Sequence, residues 1–191
     1  MVLTTRQKFT FRFSTPNFVL LLCALLTISV ANSKAKQPML EYQVKAVFLY
    51  NFAQFVEWPK QAFTTDNAPL IIGVLGADPF GSYLDKTVKG ENVNGHPIIV
   101  KRFQKIEDIK NCHILFINIT GKDRVREICE QLNAKNVLTV SDMPNFTKQG
   151  GIVKFYVEDN KTKIRINLEA SKRADLSISS KLLRVAEIVN N

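Results

Sequence analysis

Apolar residues crowd the first part of the chain, in FVLLLCALLTISV from Phe18 to Val30. Arg6, Lys8 and Arg12 precede this run with no acidic residue among them, and Ser29-Val30-Ala31 follows with small residues at the spacing of a cleavage site. The arrangement reads as a secretory signal peptide over residues 1–31, cut after Ala31. The run is short for a span of ~20 residues, so an uncleaved anchor ranks second. Cys23 lies inside the run behind the bulky Leu22, which argues against a lipoprotein cysteine. Residues 32–39 are a mostly polar leader, and a single domain is expected over 40–191.

The domain opens with EYQVKAVFLYNFAQFVEWP, Glu41 to Pro59, whose apolar residues have helical spacing on two sides. At 100° per residue, Leu40, Val47, Phe48, Phe52 and Phe55 fall within about 80° of Val44. Tyr42, Ala46, Leu49, Ala53 and Val56 gather opposite. A helix apolar nearly all round is buried nearly all round. The first stripe is expected on the sheet, and the second under another cover, a protein partner or the C-terminal helix. Tyr42, Leu49 and Ala53 are therefore the expected protein interface. Pro59 disfavours helical geometry at Trp58, so the helix stops there, and the indole is expected to plug the core rather than stack on a ligand.

Periodicity then alternates. APLIIGVL (68–75) and HILFINI (113–119) are near-continuous apolar runs, the signature of strands buried on both faces. PIIVKRF (97–103) and NVLTVSD (136–142) read as two further strands. Helices are expected after Asp78-Pro79, around Ile106–Ile109 and over 121–133. Asn94-Gly95 marks a turn. Beyond Gly150-Gly151, IVKFYVE and KIRINLE alternate and are joined by Asp159-Asn160, a hairpin. Ser179-Ser180 caps a final expected helix, KLLRVAEIV. The fold class is α/β: a three-layer αβα sandwich with a mixed sheet, mostly parallel strands plus a C-terminal antiparallel hairpin.

Charge changes this picture little. Removing residues 1–31 leaves 160 of 191, and the loss of three basic residues takes the net charge from +9 to +6. An exported chain does not meet chromosomal DNA, so nucleic acid is not an expected partner. Lys161, Lys163 and Arg165 alternate along a strand and read as a solvated sheet face. Cys112 and Cys129 remain. A strand of about seven residues is ~23 Å long, and two returning helical turns recover only ~12 Å. A disulfide needs Cα atoms within about 7 Å, so two buried free thiols are expected.

Chemistry-bearing patterns are sparse. His96 and His113 have no companion at metal-ligand spacing. Neither a Gly-x-Ser-x-Gly elbow nor a triad is present, and GVLGADPFG lacks the dinucleotide fingerprint and the phosphate-loop lysine. No catalytic residue, metal or cofactor is expected, and the chain is not expected to be an enzyme. Two strand-end loops could seat a small ligand, one at Asp78 and one at Asp142, Asn145, Gly150 and Gly151. Ordinary turn chemistry is the plainer account of both.

The segments YQVKAVFLYNFAQFVEWP, IIGVLGADPFG, CHILFI, VLTVSD, GGIVKFYVEDNKTKIRINLEA and LSISSKLLRVA, in this order, resemble the YfiR-like family of exported domains over Glu41 to Val189. The resemblance implies a periplasmic homodimer that inhibits an inner-membrane signalling enzyme, foremost a diguanylate cyclase. It also implies an outer-membrane lipoprotein as a further partner. The family's best-known member is disulfide-stabilised. Here Cys112 matches one of its cysteines, Gly73 stands at the partner position, and the second pair is missing around Gly150–Tyr156. Redox control is therefore not carried over. The alternative function is a periplasmic receptor for a small metabolite, feeding a sensor kinase or transporter.

Overall fold

The computed structural model describes residues 39–132 and 134–190. The expected signal peptide, 1–31, and nearly all of the leader lie outside the described residues. Helix α1 spans 39–55. The chain then runs into a two-residue strand, β1 (Val56–Glu57), so α1 stops before Trp58 rather than at it. Tertiary pairing sets that stop: β1 lies antiparallel to β9 (Ser177–Ile178), with Val56 opposite Ile178.

The main sheet contains β2 (Leu70–Gly76), β3 (Asn92–Val93), β4 (His96–Phe103), β5 (Ile114–Asn118), β6 (Leu138–Ser141), β7 (Val153–Glu158), β8 (Lys161–Asn167) and β10 (Ala186–Val189). Their spatial order is β10-β8-β7-β6-β5-β2-β4-β3. Pairing is parallel from β7 through β6, β5 and β2 to β4, and antiparallel at the β7–β8 and β3–β4 hairpins. Both hairpins turn through positive φ: Asn94 53° and Gly95 89°, Asp159 50° and Asn160 57°. Such values match the twist of the flanking strands.

Alternation along the central strands sorts the core into two layers. Ile72, Val74, Ile114, Phe116, Leu138 and Val140 point to one side, with Leu49, Phe52 and Phe155. Ile71, Leu75, Leu115 and Ile117 point to the other, under Val125, Ile128 and Leu132 of α3 (Lys122–Leu132). Helix α2 (Ser82–Val88) joins α1 on the first side through Leu84 and Val88. This is a three-layer αβα sandwich with a mixed sheet.

Two sequence expectations are corrected. Helix α1 packs on the sheet with the face assigned to a partner: Leu49 is 0% exposed, Ala53 1% and Ala46 0%. Ala46 and Ala53 are small enough to let the helix approach the strands closely. Phe48 and Phe52 then flank Phe155, at ring-centroid distances of 5.7 and 5.9 Å. The stripe expected on the sheet is instead outward at Leu40, Val44 and Val47, 61%, 40% and 41% exposed. The expected final helix is also split. After α4 (Leu168–Arg173), Ser179 caps only a short α5 (Ser180–Leu183), its hydroxyl accepting from the Lys181 N–H. Residues Ala186–Val189 then add β10 in parallel to β8, Ile188 opposite Ile166. Val185, Ile188 and Val189 suit a strand, and the open edge of β8 supplies the pairing that local sequence does not reveal.

Candidate functional site

The carboxyl ends of parallel strands are where open α/β sheets usually hold ligands. Here that end is filled by the protein's own side chains. Asp142, just after β6, accepts hydrogen bonds from the Tyr42 hydroxyl at 2.9 Å and from Lys45 Nζ at 2.6 Å. Lys45, only 2% exposed, is also 2.6 Å from Glu41. A buried ammonium is tolerated because two carboxylates and the Tyr42 ring, 4.3 Å away, replace its water. Burial first, then the bond to Asp142, pushes the Tyr42 phenol well above its ordinary range. Tyr42 meets Phe80 edge-on at 5.6 Å, which closes the crevice further.

The other ligand candidates stand apart. Asp78 caps a turn, its Oδ1 accepting from the N–H groups of Phe80 and Gly81. Its second oxygen is 2.8 Å from Arg102, which also grips Asp85 with two nitrogens. Asn145 adopts φ 59°, and its carbonyl accepts from the Gln149 N–H. Gly150, at φ 91°, closes a 3-10 turn and borders a hollow of about 290 Å³ with Arg126 and Arg173. Gly151 is required by packing, since a Cβ there would collide with the Phe146 ring. The residues proposed from sequence thus fall in three places rather than one site.

Of the residues expected at a protein interface, Leu49 and Ala53 lie in the core and Tyr42 is half-buried beneath Asp142. Exposed apolar residues lie instead at Leu40, Val44 and Val47 and, at the sheet edge, at Val185 and Ile188, 67% and 38% exposed. Paired residues on adjacent strands share a face. Ile188 is opposite Ile166, a residue of the α1-side core, so Ile188 faces the same side as α1. Among the described residues strand β10 has a single neighbour, β8, and ends the sheet.

A cavity of about 560 Å³ opens at the other end of the sheet, where β2 and β4 begin. Trp58, Phe63 and His96 wall it. The Phe63 ring stacks on His96 at 3.8 Å and on His113 at 4.4 Å. His113 Nδ1 accepts from the Ile71 N–H at 3.0 Å, which leaves Nε2 to donate to the Ala62 carbonyl at 3.2 Å. Burial lowers the His113 pKa to about 4, so the ring is neutral. Among the described residues no cluster of three His, Cys, Asp or Glu could hold a metal. The sequence could have offered Trp58 and His96 as candidates, but nothing local joins residues so far apart.

Cys112 and Cys129 are free and buried. Burial pushes each thiol up to about 12, which leaves no thiolate for nucleophilic chemistry at neutral pH. A Cβ built on Gly73 would lie 2.8 Å from the Cys112 sulfur. No helix among the described residues is long and apolar enough to cross a membrane. A family model described as YfiR/HmsC-like matches residues 42–187. No curated protein matches the chain.

Proposed function

The chain belongs to the YfiR/HmsC-like family of periplasmic regulators, and from that membership we propose that it restrains an inner-membrane signalling enzyme, a diguanylate cyclase, through a protein interface. One observation carries the reading. The chain exposes Leu40, Val44 and Val47 along α1, while its strand-end crevice is filled by Lys45, Asp142 and Tyr42. Exposed contiguous apolar surface is characteristic of interaction sites. The same stripe serves to pair two copies of the chain, and an outer-membrane lipoprotein is a further partner. The chain acts by binding, not by catalysis. The test is cellular cyclic di-GMP. Deleting the gene should raise it, the wild-type chain should restore it, and Val44→Asp should fail to do so while folding normally. Restoration by Val44→Asp would reject the stripe as the regulatory surface.

A second reading, a receptor for a small metabolite feeding a sensor kinase or transporter, is favoured by the cavity beside Trp58. The two readings concern separate parts of the molecule.

A further inference from the structure

We propose that the cavity at the start of β2 and β4 binds a small aromatic molecule that bears no negative charge and carries a hydrogen-bond acceptor. This inference rests on the receptor reading and leaves the protein-interface reading untouched. The volume of about 560 Å³ lies within the usual range for ligand pockets. Its floor is apolar: Ala53, Val56, Leu70 and Val93 are each at most 9% exposed. Such a floor favours a ligand with an apolar body.

The walls narrow the class. Trp58 and Phe63, from the connection between β1 and β2, and His96, at the start of β4, present aromatic surface. Phe63 is held by stacking on His96 and His113, and His113 is itself fixed by two backbone bonds. A ring so held loses little freedom when a ligand arrives. Flat aromatic compounds suit such surfaces through offset-stacked or edge-on contacts.

Two polar groups set orientation. The Trp58 indole N–H is buried and has no acceptor among the described residues. A buried donor left unpaired carries its full desolvation cost, which a small rotation of the indole toward an acceptor on the ligand would relieve. His96 Nδ1 is 2.6 Å from the Ala68 carbonyl, which can only accept, so in the neutral ring the proton sits on Nδ1. Nε2 is then an acceptor for any donor the ligand bears. The rim carries Glu57 and Asp66 against Lys60 alone, an excess of one negative charge. That balance disfavours carboxylates and phosphates, so the ligand carries no negative charge.

The chain has one tryptophan, so the indole N–H gives a single resonance that reports directly on this wall. The probe is acetophenone, a neutral aromatic ketone, titrated into the mature protein beside benzoate and cyclohexyl methyl ketone. Acetophenone should move the indole resonance along a saturating curve. Benzoate and the non-aromatic ketone should bind at least tenfold more weakly. Phe63→Ala should weaken acetophenone at least tenfold. Asp66→Lys, at the exposed rim, is expected to strengthen benzoate binding tenfold, and it keeps the test open should Phe63→Ala fail to fold. An indole resonance unmoved by acetophenone up to its solubility limit overturns the proposal. So does benzoate binding as tightly as acetophenone, or indifference of benzoate to Asp66→Lys. None of these results bears on the α1 surface, which is read by cyclic di-GMP.

Discussion

His113 shows how one side chain joins fold to environment. Burial lowers its pKa from 6.5 to about 4, with repulsion from His96 a smaller cause. The unfolded chain binds the proton first. The stability this creates is therefore full above pH 6.5 and lost as pH falls toward 4, a change of at most about 3 kcal/mol. Urea denaturation across pH 7 to 4 should show the decline, and His113→Gln should flatten it at some cost in stability at pH 7. An unchanged slope in that variant would assign the acid sensitivity elsewhere. Gly73 makes a second residue-scale case. Its missing Cβ would sit 2.8 Å from the Cys112 sulfur and 2.9 Å from both Leu115 and Phe103. Gly73→Cys, exported into an oxidising compartment, is predicted to bridge to Cys112, seen as a mass two protons lower than the reduced form. After reduction the crowded site should cost about 1–3 kcal/mol relative to wild type. A variant that stays fully reduced would show that the strands do not let the sulfurs meet. The resemblance had pointed to this pairing of positions; the composition of the strands had not.

At the scale of the element, α1 shows how far sequence reading reaches. The helix itself was legible from its spacing, and so was the existence of two apolar faces. Which face meets the sheet was not, because that depends on Ala46 and Ala53 fitting closely against strands far away in sequence. The C-terminal segment failed for a similar reason. KLLRVAEIV has helical spacing, yet Ala186–Val189 gains more by pairing with β8. The strands were easier, since LIIGVL and ILFI are short apolar runs rich in β-branched residues, as strands buried on both faces are. The cavity was not legible at all, because His96 lies far along the chain from Trp58 and Phe63. Leu49→Asp is now predicted to unfold the domain as thoroughly as Phe52→Asp, since each would bury an unpaired charge. Val44→Asp should leave the melting temperature nearly unchanged, as surface substitutions usually do. Thermal melts of the three variants decide the matter. A stable Leu49→Asp would contradict the packing of α1 described above.

At the scale of the whole molecule, the two ends of the sheet have different fates. The carboxyl end, where ligands usually sit, is locked by Lys45 between Glu41 and Asp142. The amino end opens into the cavity beside Trp58. The outward stripe of α1 forms a third surface, on the same side of the sheet as Ile188 of β10, and the regulatory account depends on it. The most direct test places a photo-crosslinking amino acid at Val47, on that stripe, and at Glu127, exposed on α3 across the sheet. Cells are irradiated and the products identified by mass spectrometry. The account predicts that position 47 captures an inner-membrane protein bearing a cyclase domain, alongside a second copy of the chain, and that position 127 captures neither. Capture of the membrane protein from position 127, with nothing from position 47, would contradict it.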